Sequence, residues 1–482
     1  MPPIDIHAHI SRRVAFRTIG CKLNQCETAQ MQESFLAKGY RLVDWDADAD
    51  VRVINTCTVT AKSDRTCRRE IRSAKRLDPD CIVAVTGCYA EVAPETVKAI
   101  PGVDLVLGNA AKRHLTEQVS QALDPAIQSD TFQGPIPQTA ADLHAAAGHH
   151  VGKPETPEMD DEFIAHFYGY TRAFLKIQTG CDSHCAYCII PRARGGARSL
   201  PQERVLEQVR LLAARDYREI VLTGINLGSW GVDLKVERQS EHAGGSGRLA
   251  GLLRLLVERT SDVRFRLSSI EPLEMDAELV DTIAASGDRV AHHFHLPLQS
   301  GSEEVLRRMG RPYTADEYLR IARDVAARFP EAAIGADIIV GFPGETEDEF
   351  AETCDLVRQS PLTYLHVFSY SDRPETKASL MTDKIHPDVI HERSTRLREL
   401  GSDKTGAFWE RITDTEQLVL VLRERAQEGH LLGLSGNYVE VHIDGDDDLM
   451  NTFVRGTLSG PPSGASSGES WRLLGMTTGV SL

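Results

Sequence analysis

The stretch 173-AFLKIQTGCDSHCAYCIIPRARGGARS-199 decides how this chain reads. A strand-like run ends at Gln178 and opens into a tight loop that carries Cys181, Cys185 and Cys188 in the spacing C-x3-C-x2-C. Three thiolates clustered in this way can ligate three irons of a cubane and leave the fourth iron without a protein ligand. An open iron can hold a small molecule and pass it an electron. Zinc is the competing reading, but a structural zinc site wants four ligands, usually as two separated pairs. The Ile-Ile-Pro and arginine-rich segment behind the loop favours iron and sulfur.

A chain of 482 residues is too long for one ordinary core and suggests two to four domains. No apolar stretch approaches the length needed to cross a bilayer, and the first residues, MPPIDIHAHISRR, lack the apolar centre of a signal peptide. The expectation is a cytoplasmic protein with no membrane partner. Its ten cysteines are spread along the chain, and several follow strands, so metal ligation or catalysis is favoured over disulfides. The formal net charge of −16 argues against non-specific nucleic-acid affinity over the whole surface. A local basic face is still open to it: residues 62–76 hold seven Lys or Arg against two acids, and Arg192, Arg194, Arg198 and Arg204 follow the cysteine loop. Solvated helix faces explain such runs equally well.

The pattern predicts an N-terminal parallel α/β domain over 14–125, a linker over 126–170, a partial barrel of six βα units over 171–412 and a small all-β barrel over 413–480. In the first domain, 14–19, 51–55 and 82–86 read as buried strands, and 24–37, 61–76 and 94–100 as helices. Cys21, Cys57 and Cys88 each follow one of these strands. Loops at the carboxyl ends of neighbouring parallel strands converge, so three cysteines distant in sequence should meet in space. Cys26, Cys67, Cys81 and Cys354 lack this placement and read as ordinary buried thiols. The linker contains His149 and His150, which read as solvated. In the barrel, strands are expected over 173–178, 219–224, 263–269, 292–298, 334–341 and 364–370, with the polar motifs at their C-terminal ends, where barrel chemistry belongs. The last part reads as five short strands separated by Gly and Asp turns.

With these residues in hand, the chain resembles the radical S-adenosylmethionine methylthiotransferases over nearly its whole length. The motifs GCKLNQCET, GCDSHCAYCIIPRARGGARS, LTGINLGSWG and RLSSIEPLE most resemble the branch that acts on N6-threonylcarbamoyladenosine next to the anticodon of tRNA. The resemblance implies two 4Fe-4S clusters and S-adenosylmethionine. Cys181, Cys185 and Cys188 would hold the radical cluster, with the cofactor on its open iron. Reductive cleavage would yield a radical that removes hydrogen from C2 of the adenine. Cys21, Cys57 and Cys88 would hold an auxiliary cluster that carries the sulfur, methylated by a second S-adenosylmethionine. Tyr187, Gly224, Ser269, Glu271, Gln299 and Gly341 would contact the cofactor, although each could instead cap a helix or close a turn. The C-terminal barrel matches a TRAM domain, and an unidentified reductant protein is implied beside tRNA.

Residues 415–482 carry four arginines against nine acids, which makes that barrel a weak electrostatic anchor for RNA. An acidic barrel fits a basic protein substrate better, which keeps open the methylthiolation of an aspartate in a small-subunit ribosomal protein; methylthiolation of isopentenyladenosine in tRNA is the other alternative within the class. The stretches 62–76 and 192–204 are then the expected RNA footprint. Two readings lie outside the class. Asp5, His7 and His9 imitate the metal-binding start of an amidohydrolase barrel but read as an incidental extension, and a non-enzymatic RNA scaffold leaves six cysteines without a role.

Overall fold

The computed structural model describes residues 11–124, 164–234, 247–426, 428–460 and 471–482. Asp5, His7, His9, His149 and His150, and most of the expected linker, lie outside the described residues. The chain forms two compact units, one reaching to Ile164 and including Arg192–Gly195, the other made of Ala165–Pro191 and Gly196–Leu482.

In the first unit, β1 (Arg13–Thr18), β2 (Arg41–Val43), β3 (Val51–Thr56), β4 (Ile82–Gly87) and β5 (Leu105–Leu107) form a parallel sheet in the order β2-β1-β3-β4-β5. Every residue of β3 is buried, as the middle strand of a sheet covered on both faces requires. β2 and β5 escaped the sequence reading because three residues at a sheet edge show no periodicity. Helix α1 (Lys22–Ala37) and helix α2 (Ala61–Leu77) are crossovers. Thr60 caps α2 by accepting from the Ser63 amide at 3.1 Å. Asp64, Cys67, Ile71 and Ala74 form its buried face, which leaves the arginines outward.

The second unit opens with β6 (Ala173–Lys176), followed by a short antiparallel pair, β7 (Gln178–Thr179) and β8 (Arg198–Ser199), beside the cysteine loop. β9 (Glu219–Thr223) and β10 (Arg264–Leu267) join β6 in a parallel sheet, and β11 (His293–His295), β12 (Ala333–Val340) and β13 (Tyr364–Ser369) form a second one. One bridge, Phe265 with Val290, links the two sheets. The result is the expected six-stranded open barrel. β14 (Glu416–Arg425), β15 (Leu431–Ser435), β16 (Glu440–Ile443), β17 (Phe453–Ser459) and β18 (Trp471–Thr477) close a small barrel in the order β14-β15-β16-β18-β17, around Val419, Val421, Val441 and Ile443.

Ionic groups, rather than apolar contact alone, bind the two barrels. Glu219, wholly buried on β9, accepts from Arg264 Nε at 2.7 Å and Arg266 Nε at 2.9 Å, both reaching across from β10. The other guanidinium nitrogens donate to carbonyls of the small barrel, Arg264 to Leu418 and Leu434 and Arg266 to Ser435 and Gly436. Each buried charge thus has its partner. Among the described residues, no helix is long and apolar enough to cross a membrane.

Candidate functional site: two three-cysteine centres

Cys21, Cys57 and Cys88 stand just past the ends of β1, β3 and β4, the three middle strands of the first sheet. Two glycines let their loops close on one another. A Cβ on Gly20 would stand 2.7 Å from Cβ of Cys57, and one on Gly87 would stand 2.4 Å from the Thr56 carbonyl; both residues have positive φ, 118° and 98°. Any side chain there would push the loops apart. All three thiols are free, with Cys21 exposed and the other two buried. Burial pushes the Cys57 thiol up to about 11, so without a metal it is protonated at neutral pH, and a ligating metal would have to displace that proton.

A buried polar network lies against these thiols. Glu27 accepts from Lys112 Nζ at 2.6 Å on one oxygen and from Arg194 Nη1 at 2.8 Å on the other. Arg194 Nη2 also donates to Asn24 Oδ1 at 2.7 Å, while Asn24 Nδ2 donates to the carbonyls of Ile19 and Thr56, tying the first two cysteine loops together. Although burial disfavours its charge, Arg194 is held well above its ordinary pKa by Cys88, Glu27 and Cys21. Two buried basic groups, Lys112 and Arg194, thus stand behind the three sulfurs, where they can offset the charge of a bound anionic group. These residues fit an anionic iron-sulfur cluster with one open iron. The network also corrects the sequence reading of Arg194: it is 5 % exposed, so it cannot contact RNA. Cys67, read as an ordinary buried thiol, sits directly behind the centre, its Sγ donating to the Cys57 carbonyl at 3.3 Å.

In the second unit, Cys181, Cys185 and Cys188 share the loop between β7 and β8. Burial pushes the Cys188 thiol up to about 12, and the neighbouring Cys185 and Cys181 add to the shift. Arg311 Nη1 donates to Cys185 Sγ at 3.2 Å, and its other nitrogens donate to Tyr313 Oη and to Glu271. A guanidinium against a ligand sulfur suits a thiolate-bound centre. Sequence reasoning missed Arg311, which lies 126 residues from Cys185 and in no motif with it.

The six expected cofactor-contacting residues stand as follows. Tyr187 is packed with Ala186, Met309 and Phe342 beside the loop. Gly224 and Gly341 have packing reasons for being glycine: a Cβ would meet Gln178 at 2.9 Å in the first case and Ile390 at 2.4 Å in the second. Gln178, also missed in the sequence, fastens the loop after β9 to the strand before Cys181 by accepting from the amides of Ile225 and Asn226, both at 2.9 Å. Ser269 is half-buried past β10. Glu271 meets Arg311, and the neighbouring half-buried Glu274 has its carboxyl raised to about 7 by burial and by Glu271. Gln299 holds a left-handed conformation, φ 70°, and its amide donates to the Asp337 carbonyl at 2.8 Å.

A six-stranded open barrel with a three-cysteine loop behind its first strand defines a radical S-adenosylmethionine enzyme, and residues 175–357 match the Radical SAM superfamily. Residues 13–108 match a family described as Uncharacterized protein family UPF0004. The chain is 37 % identical over 433 residues to the threonylcarbamoyladenosine tRNA methylthiotransferase MtaB of Aquifex aeolicus, covering 90 % of this chain and 97 % of that one. It is 37 % identical over 447 residues to the protein of the same name from Bacillus subtilis, covering 92 % of each. A tRNA-2-methylthio-N(6)-dimethylallyladenosine synthase of Maricaulis maris is 31 % identical over 476 residues, covering 94 % of this chain and 98 % of that one. Among solved structures, the radical S-adenosylmethionine methyltransferase TsrM of Kitasatospora setae shares the fold, with a TM-score of 0.51, 17 % identity and 77 % coverage of each chain. This chain belongs to the radical S-adenosylmethionine methylthiotransferase family.

Proposed function

We propose that this enzyme converts N6-threonylcarbamoyladenosine in tRNA to its 2-methylthio derivative. The observation that carries the reading is two groups of three cysteines on one chain that is 37 % identical, over about nine-tenths of its length, to relatives whose names state that reaction. Relatives named for dimethylallyladenosine stand at lower identity and rank second. In this reading Cys181, Cys185 and Cys188 hold the radical cluster and Cys21, Cys57 and Cys88 the auxiliary one. When bound, the two clusters and S-adenosylmethionine supply the radical and the methylthio group. The chain's own part is to hold and orient them. Arg311 positions Cys185, Lys112 and Arg194 keep a positive potential behind the auxiliary thiols, and Tyr187, Gly224, Ser269, Glu271, Gln299 and Gly341 border the cofactor. The setting is cytoplasmic, with an electron-donating protein as a further partner.

The test is mass spectrometry of digested tRNA from cells with and without the gene. Loss of 2-methylthio-threonylcarbamoyladenosine with accumulation of its precursor is expected. If that nucleoside is unchanged while the isopentenyladenosine derivative disappears, the second reading stands.

For the tRNA contact, α2 offers a surface. Arg65, Arg68, Arg69, Arg72 and Arg76 line a recess of about 380 Å³ on its outer face. The small barrel offers less: Arg425 is tied to Asp447, and Arg455 to Asp288 and Glu416. Neutralising Arg68, Arg69 and Arg72 together removes up to three phosphate contacts. It is therefore expected to lower the slope of log binding constant against log salt by about 2. Unchanged binding of tRNA at low salt removes this helix from the footprint.

A further inference from the structure

The open barrel carries a cluster that neither cysteine centre uses. β11, β12 and β13 are parallel and in register, with His295 opposite Gly335 and Asp337 opposite His366. Side chains alternate along a strand, so His295, Asp337 and His366 fall on one face of three adjacent strands. Phe294, Ala336 and Ile338 point the other way into the core. The polar groups converge on one atom: His295 Nε2 lies 3.0 Å and His366 Nδ1 3.3 Å from the same oxygen, Asp337 Oδ1. All three donor atoms lie within 4.8 Å of one another. Donors that share a transition metal at about 2.0–2.2 Å stand roughly 3 to 3.5 Å apart, and the two His–Asp separations fall in that range.

A second layer supports the first. Tyr364 Oη lies 3.1 Å from His295 Nδ1 and 2.9 Å from His293 Nε2, so the far ring nitrogen of His295 has a fixed partner and Nε2 is left for the cluster. Gly335 makes this reach possible. A Cβ there would stand 1.8 Å from Tyr364 Cζ, so the tyrosine crosses the strand only because the position has no side chain. On the open side, the His366 side chain is 56 % exposed, whereas that of His295 is 9 % exposed. A site of this shape holds its ion from one side and leaves positions for water or another ligand.

We propose that His295, Asp337 and His366 bind one divalent transition-metal ion of the zinc or ferrous class. Two imidazoles and one carboxylate suit such ions better than magnesium or calcium, which take oxygen. The site stands on the same strands as the cofactor edge, since the Gln299 amide bonds the Asp337 carbonyl. It does not depend on the identity of the tRNA base.

The test uses enzyme with both iron-sulfur centres loaded, so that none of their six cysteines competes, and equilibrium dialysis against zinc followed by metal analysis. Iron and sulfide content, read in the same samples, confirms that the clusters stay in place. One equivalent of zinc is expected, lost in His366→Ala, whose exposed side chain can be removed without opening the core. Tyr364→Phe, which keeps the ring and removes only the hydroxyl, is expected to weaken zinc binding by about 10- to 100-fold. Failure of the loaded wild-type enzyme to bind zinc overturns the proposal, as does equal binding by wild type and His366→Ala. So does loss of that equivalent on His442→Ala, because Glu428, His430 and His442 form the other such grouping among the described residues.

Discussion

Replacing Cys185 by Ala is expected to abolish reductive cleavage of S-adenosylmethionine, read as 5′-deoxyadenosine released under anaerobic reduction. Cys185 is the middle thiol of its loop and the one that Arg311 reaches, at 3.2 Å. With two thiols left, the loop no longer offers three ligands, and the iron content of reconstituted protein should fall by about half, the share of one of two equal clusters. Cys57→Ala is expected to cause the same loss of iron from the other centre yet leave cofactor cleavage in place, with no methylthiolated product. The contrast follows from where the thiols stand, Cys57 at the end of β3 in the first unit and Cys185 between β7 and β8 in the second. Retained cleavage in Cys185→Ala would refute the radical-cluster assignment. Methylthiolated tRNA from Cys57→Ala would remove the auxiliary role.

Glu219→Gln is expected to destabilise the second unit by about 3–5 kcal/mol, the cost of leaving buried charges without their partner. Burial alone would raise the Glu219 carboxyl, but Arg266, Arg264 and Arg172 hold it well below the ordinary carboxylate range. A depressed carboxyl contributes stability that is fully present above its unfolded value and is lost only as the pH falls through its folded one. The contribution is therefore complete at pH 7, where the comparison belongs. Urea unfolding followed by tryptophan fluorescence reads it, since Trp230, Trp409 and Trp471 lie in this unit. An unchanged midpoint would mean that the arginines are held by the carbonyls of the small barrel alone. The substitution leaves all six cysteines untouched, so iron and sulfide content should follow the folded fraction.

The same cluster shows what the charge pattern of the C-terminal segment does not report. Its acidity weighed toward a basic protein substrate, but the segment meets the rest of its unit through carbonyls that accept from Arg264 and Arg266. Composition counts side chains. Here backbone oxygens make the contact.

The sequence by itself singled out both groups of three cysteines and determined the order of the parts. A C-x3-C-x2-C loop is a local pattern, and the placement of Cys21, Cys57 and Cys88 after strands follows from period-two and helical runs that alternate along the chain. Parallel topology then forces the strand ends onto one edge, so even the shared edge of those three was legible. The tertiary structure alone decided what stands behind them. Arg194 is one of several arginines in a basic run, and only its 167-residue reach to Glu27 turns it from a surface charge into a buried one. Arg311 and Cys185, Glu219 and its arginines, and His295 with Asp337 and His366 are brought together by strand register across long separations. Local periodicity carries no signal for such pairs, because it reports which face a residue takes and not which residue it meets there.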